Sequence, residues 1–81
     1  MNVQVQLFAR ARDLAGSGCV SLELPDPARV GDLRAALAAR IPQLDRLVSS
    51  LLVAVGNEYA SDDFPLAAGA EVACFPPVSG G

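Results

Sequence analysis

Val30-Gly31-Asp32-Leu33-Arg34-Ala35-Ala36-Leu37-Ala38-Ala39-Arg40-Ile41 is the stretch on which the fold turns. Val30, Leu33, Leu37 and Ile41 recur at i, i+3, i+7 and i+11, the core stripe of an amphipathic helix. Asp32 suits the positive end of the helix dipole, although Arg29 is a poor capping residue. Pro42 pushes Ile41 out of helical backbone, so the helix is expected to end near Arg40. Upstream lie two segments of period two. Val3, Val5 and Leu7 alternate with Asn2, Gln4 and Gln6, and Val20, Leu22 and Leu24 alternate with Ser21 and Glu23. Each reads as a strand with one buried face. Arg10 to Ala15 fits a single helical turn between them, and Pro25 and Pro27 end the second strand.

Downstream, Leu44, Leu47 and Val48 suggest a short second helix. Leu51 to Val55 is the longest apolar run and reads as a strand buried on both faces. Gly56-Asn57 is a hairpin turn, type II′ by its leading glycine, and Glu58 to Ala60 returns as a short strand. Ser61 to Gly69 is a turn-rich connection held by Phe64 and Leu66, with Asp62 and Asp63 in solvent. Glu71 to Phe75 is the last strand. The order strand, strand, helix, strand, short strand, strand makes an α+β fold, a mixed sheet with one main helix packed across one face. The connection from the second strand through the helix to Leu51–Val55 is long enough for a parallel crossover. This is the ubiquitin-like β-grasp pattern, expected over residues 1–75, with residues 76–81 as an extended tail.

Composition limits the chemistry. The chain has 81 residues, 52% hydrophobic and 19% charged, enough apolar surface for one small core. Its net charge of −3 argues against nucleic acid as a partner. No residue is His, and all six basic residues are Arg. A self-contained Ser-His-Asp or Cys-His nucleophile is therefore excluded, and with it the side chains most readily tuned to titrate near neutrality. Cys19 and Cys74 are too few for a disulfide framework or, without His, a zinc site, and read as buried free thiols; no metal is expected. No leader-like or membrane-spanning apolar run is seen, which gives the expectation of a cytoplasmic protein without membrane contact.

The chemistry falls on the end of the sequence, Phe75-Pro76-Pro77-Val78-Ser79-Gly80-Gly81. Pro76-Pro77 stops a sheet ladder and favours polyproline II, and six extended residues reach about 20 Å. Gly80 and Gly81 have no side chain, so a narrow channel in another protein could admit them.

These residues resemble the C-terminal signature of the MoaD-type sulfur carriers, the small subunits of molybdopterin synthase. Leu7-Phe8-Ala9 with Arg12-Asp13-Leu14-Ala15-Gly16 resembles that family's first strand and Arg-containing turn. Val30-Gly31-Asp32-Leu33 resembles its helix start, Ala54 to Tyr59 its hairpin, and Leu66, Gly69, Glu71 and Val72 the approach to its last strand. Departures are Ala70 for a usual Asp, Cys74 for a large apolar residue, Gly56-Asn57 for Asn-Gly, and Arg29 for a Thr cap.

The resemblance implies a carrier that is not an enzyme on its own and binds no cofactor. Gly81 would be adenylated, with ATP, by a ubiquitin-activating-like adenylyltransferase. A persulfide sulfur donor would convert it to a thiocarboxylate. Pro76, Pro77, Val78, Ser79 and Gly80 would insert into the large catalytic subunit, in a heterotetramer of two small and two large chains. There the sulfur passes to the cyclic pyranopterin monophosphate precursor in molybdenum cofactor biosynthesis. Phe75 and Phe8 are candidates for an apolar docking patch or for the core. Arg12 either meets a partner carboxylate, pairs locally with Asp13 or is simply solvated. The other readings are a carrier for thiamine, tRNA thiolation or cysteine formation, a ubiquitin-like tag, and a passive interaction module.

Overall fold

The alternation of apolar and polar residues sets the first strand, β1 (Asn2–Leu7), which buries Val3, Val5 and Leu7 and turns Asn2, Gln4 and Gln6 outward. The computed structural model describes residues 1–77. A short helix, α1 (Ala9–Ala15), follows and closes on Gly16 in the left-handed conformation, whose N–H donates to the Arg12 carbonyl. The next elements are β2 (Cys19–Glu23), a two-residue β3 (Ala28–Arg29) and the main helix α2 (Val30–Arg40). Two 3₁₀ turns, Pro42–Leu44 and Val48–Ser50, stand where one short second helix was expected. The chain ends its regular structure with β4 (Leu52–Val55), β5 (Glu58–Tyr59), β6 (Pro65–Leu66) and β7 (Glu71–Phe75).

Five strands form one mixed sheet in the order β2-β1-β7-β4-β5, so β7 lies at its centre. The pair β1–β7 is parallel, while β2–β1, β4–β7 and β4–β5 are antiparallel. It follows that β2 and β4 run the same way with two strands between them, and α2 is the crossover that joins them. This is the β-grasp arrangement expected. The core lies between sheet and helix. Val3, Val5, Leu7, Leu22, Val53, Val72 and Cys74 come from the sheet, and Val30, Leu33 and Leu37 from α2, with Leu44, Val48 and Leu51 closing one end.

Helix α2 begins better than its cap residue suggested. The Asp32 carboxylate accepts from the Arg29 N–H at 2.8 Å, one half of a capping box. The reciprocal half has no physical basis, since a guanidinium has no acceptor. The unpaired N–H groups of Val30 and Gly31 donate to the carbonyls of Phe64 and Asp62, both at 3.0 Å. The Ser61–Gly69 segment therefore serves as the cap of the main helix.

That segment departs from its reading in three ways. It contains β6, which pairs antiparallel with β3 in a small second sheet. Only Leu66 of its two apolar anchors is buried, Phe64 being exposed. Asp62 is exposed in its turn as expected, but it is also engaged: its carboxylate takes the Arg34 Nε at 2.7 Å, and Arg34 Nη1 donates to the Val48 carbonyl at 2.7 Å. Arg34 thus ties α2 to both the cap and the 3₁₀ region. The Gly56-Asn57 turn matches the sequence, with φ of +64° at Gly56 and no positive φ at Asn57, as type II′ requires.

Candidate functional site

Because Val72 and Cys74 face the core, strand parity sends Glu71, Ala73 and Phe75 to the opposite face of the sheet. The register carries this row across the neighbours. Ala73 sits opposite Gln6 of β1 and Ala54 of β4, and Ala54 opposite Tyr59 of β5. Phe75 sits opposite Leu52, and its ring stacks on Phe8 with centroids 4.8 Å apart and planes 11° from parallel. Small alanines at the centre and larger side chains around them leave an open hollow of about 380 Å³, lined among others by Gln6, Phe8, Ala54, Tyr59, Ala73 and Phe75. No described element covers this face. Phe8 is 38% exposed, Leu52 43% and Tyr59 73%.

The position of Phe8 is held by backbone that a non-glycine residue avoids. Ala9 takes φ of +53°, which turns the chain abruptly from β1 into α1. Phe8 itself is extended, and its N–H reaches the Cys74 carbonyl at 3.3 Å. The aromatic pair is therefore fixed by neighbouring strand ends, at the point where β7 gives way to Pro76 and Pro77. Pro76 is half-buried and Pro77 exposed, both beyond the strand. Val78, Ser79, Gly80 and Gly81 lie outside the described residues.

The structure brings Phe8 and Phe75 together on the open face rather than in the core. Leu52, Ala54, Tyr59 and Ala73 belong to the same face and were not anticipated. The signal for Leu52 and Ala54 was the run Leu51–Val55. It was read as doubly buried, yet only Leu51 and Val53 are fully enclosed, and Leu52 points to solvent. An apolar outer face with no cover among the described residues is a surface available to another chain.

Arg12 is exposed and forms no ion pair with Asp13. Its guanidinium lies along the Gly16–Gly18 turn, where a Cβ on Gly18 would come within 3.3 Å of Arg12 Nε. The two thiols differ. Cys74 is buried, and burial raises its pKa from 9.0 to about 11 despite the opposing charge of Arg34. Cys19 is exposed, contrary to expectation, because it is out of phase with Val20, Leu22 and Leu24 and opens an edge strand. It contacts the Gln4 Oε1 at 3.5 Å. The amine of Met1 is engaged, donating to the Leu24 carbonyl at 2.6 Å and facing Glu23 at 3.7 Å. Among the described residues no helix is long and apolar enough to cross a membrane.

Known proteins share this build. The chain is 39% identical to the molybdopterin synthase sulfur carrier subunit of Chlamydomonas reinhardtii over all of both chains. It superposes on the crystal structure of SAMP1, a small archaeal modifier protein from Haloferax volcanii, with a TM-score of 0.89 and 35% identity over all of both chains. It shares its fold with a chain from the complex of subunits 1 and 2 of the molybdopterin-converting factor of Helicobacter pylori 26695, at 21% identity and a TM-score of 0.70 over all of both chains. The ThiS family matches residues 5–81, and the chain belongs to that family, with a ubiquitin-like β-grasp fold.

Proposed function

We propose that this chain is the sulfur-carrying subunit of a molybdopterin synthase, with Gly81 as its reacting residue. The observation that supports the reading most is the central strand β7. It runs from the core into Pro76-Pro77 and the Gly80-Gly81 end of the sequence, with the Phe8–Phe75 stack at the root. The rigid sheet acts as a handle and the open face as the docking surface. The tail is the part that enters a partner.

A free α-carboxylate on Gly81 has an ordinary pKa of about 3.3–3.7, so it is an anion and a poor electrophile at neutral pH. Its attack on the α-phosphorus of ATP in an adenylyltransferase releases pyrophosphate and leaves an acyl adenylate. A persulfide sulfur then attacks the carbonyl carbon, with AMP as the leaving group. The new bond is C–S, and attack by a thiol of the donor system on the inner sulfur of the former persulfide then breaks its S–S bond, leaving the thiocarboxylate and a disulfide. In the large subunit that sulfur passes to the cyclic pyranopterin monophosphate precursor. The carrier supplies no general acid or base to these steps, which fits a chain without His or Lys.

Reconstitution with a large subunit, the precursor and thiocarboxylated chain tests the assignment. Dithiolene product should form, and removal of Gly81 should abolish it; product formed equally well without Gly81 would reject the assignment. The similarity to SAMP1 favours a second reading, a protein tag. Isopeptide-linked ladders on lysines of other proteins, formed with ATP and an activating enzyme, would support it. The chain itself offers no lysine, and its Met1 amine is bonded within the fold.

A further inference from the structure

The side of the molecule formed by α1 and the first 3₁₀ turn carries charge that the tail chemistry does not use. Residues 9–18 and 40–47 hold Arg10, Arg12, Arg40 and Arg46 against only Asp13 and Asp45, an excess of two positive charges. The rest of the chain holds Arg29 and Arg34 against seven carboxylates, an excess of five negative charges. The two basic segments are neighbours in space, since α1 packs against Pro42–Leu44. Between them opens a cleft of about 310 Å³ lined by Arg10, Leu14, Gln43, Arg46 and Leu47.

Leu14 and Leu47 are half-buried, while Arg10, Gln43 and Arg46 are exposed around them. Among the described residues neither Arg10 nor Arg46 forms an ion pair, although Asp45 is adjacent in sequence. Arg34 shows the contrast, with its carboxylate at 2.7 Å. Two guanidinium forks beside apolar side chains complement carboxylates spaced around an apolar side chain. A bare phosphate would meet the arginines and leave the leucines uncovered. The acidic remainder of the surface repels an anionic segment everywhere else, which directs it here.

We propose that this cleft docks an acidic segment of a partner protein, anchored by an apolar side chain between Leu14 and Leu47. The proposal is independent of the chemistry at Gly81. It is tested by amide NMR titration of the full chain with a blocked synthetic peptide alternating glutamate and leucine, with its glutamine counterpart, and with inorganic phosphate. The glutamate peptide should shift the amides of Leu14, Gln43 and Leu47. Its affinity should fall about tenfold or more in the Arg10→Glu, Arg46→Glu double variant and weaken with added salt. Equal binding of the glutamine peptide, equal shifts with phosphate alone, or shifts centred on Phe8 and Phe75 would each overturn it. The peptide comparison is made on the unaltered chain, so it stands whether or not the double variant folds.

Discussion

Cys19 and Cys74 lie on opposite sides of the same sheet with opposite accessibility. A thiol reagent at neutral pH should modify Cys19 rapidly in the native chain and Cys74 only after denaturation; equal rates would contradict the burial of Cys74. The raised pKa of Cys74 also couples folding to alkaline pH. The unfolded thiol ionises near its ordinary value of 9.0 and the folded one near about 11. The stability held by the neutral thiol is thus complete below about pH 9 and lost as pH rises toward 11. The loss attributable to this group should reach roughly 2–3 kcal/mol. Denaturation curves of the wild type and Cys74→Ala should converge over that range, and a constant gap would refute the coupling. Phe8, stacked and partly exposed, belongs to the surface. Phe8→Ala should cost about 1–2 kcal/mol of stability, and under the proposed function it should weaken large-subunit binding about tenfold or more by calorimetry.

Among the elements, the hairpin β4–β5 and the cap of α2 depend on local choices. Gly56 has positive φ and open space where a Cβ would stand. Gly56→Ala should therefore destabilise by about 1 kcal/mol through backbone alone, with Gly56→Asn costing less; a thermal melt unchanged by the alanine would contradict the type II′ geometry. Asp62→Ala strands the mostly buried Arg34 guanidinium with the Val48 carbonyl as its remaining partner, at a cost of about 1 kcal/mol. The strands of period two and the main helix were legible because each has one apolar face directed at a core. The ribbon β3–β6 was not, since two-residue strands built on Ala28, Arg29, Pro65 and Leu66 carry no periodicity. The outward turn of Leu52 was hidden because an apolar residue on an open face looks the same in sequence as one facing a core. Cys19 was legible in principle: its parity opposes Val20, Leu22 and Leu24.

At the scale of the molecule, an acidic domain of one sheet and one main helix has its central strand leading into Pro76-Pro77. Pro76-Pro77 and Gly80-Gly81 are the plainest pattern in the sequence, and the function proposed for them rests on that pattern, since residues 78–81 lie outside the described residues. The apolar outer face depends on the register of four strands and became visible only when the sheet was assembled. The two charge excesses likewise needed the fold to bring residues 9–18 against residues 40–47. The account rests on sulfur at Gly81, and the intact mass of the chain tests it most directly. After incubation with an adenylyltransferase, ATP and a persulfide donor, the mass should show one oxygen replaced by sulfur, with fragmentation placing it on Gly81. An unchanged mass under conditions that convert a known carrier, or sulfur retained on Cys19 instead, would contradict the account.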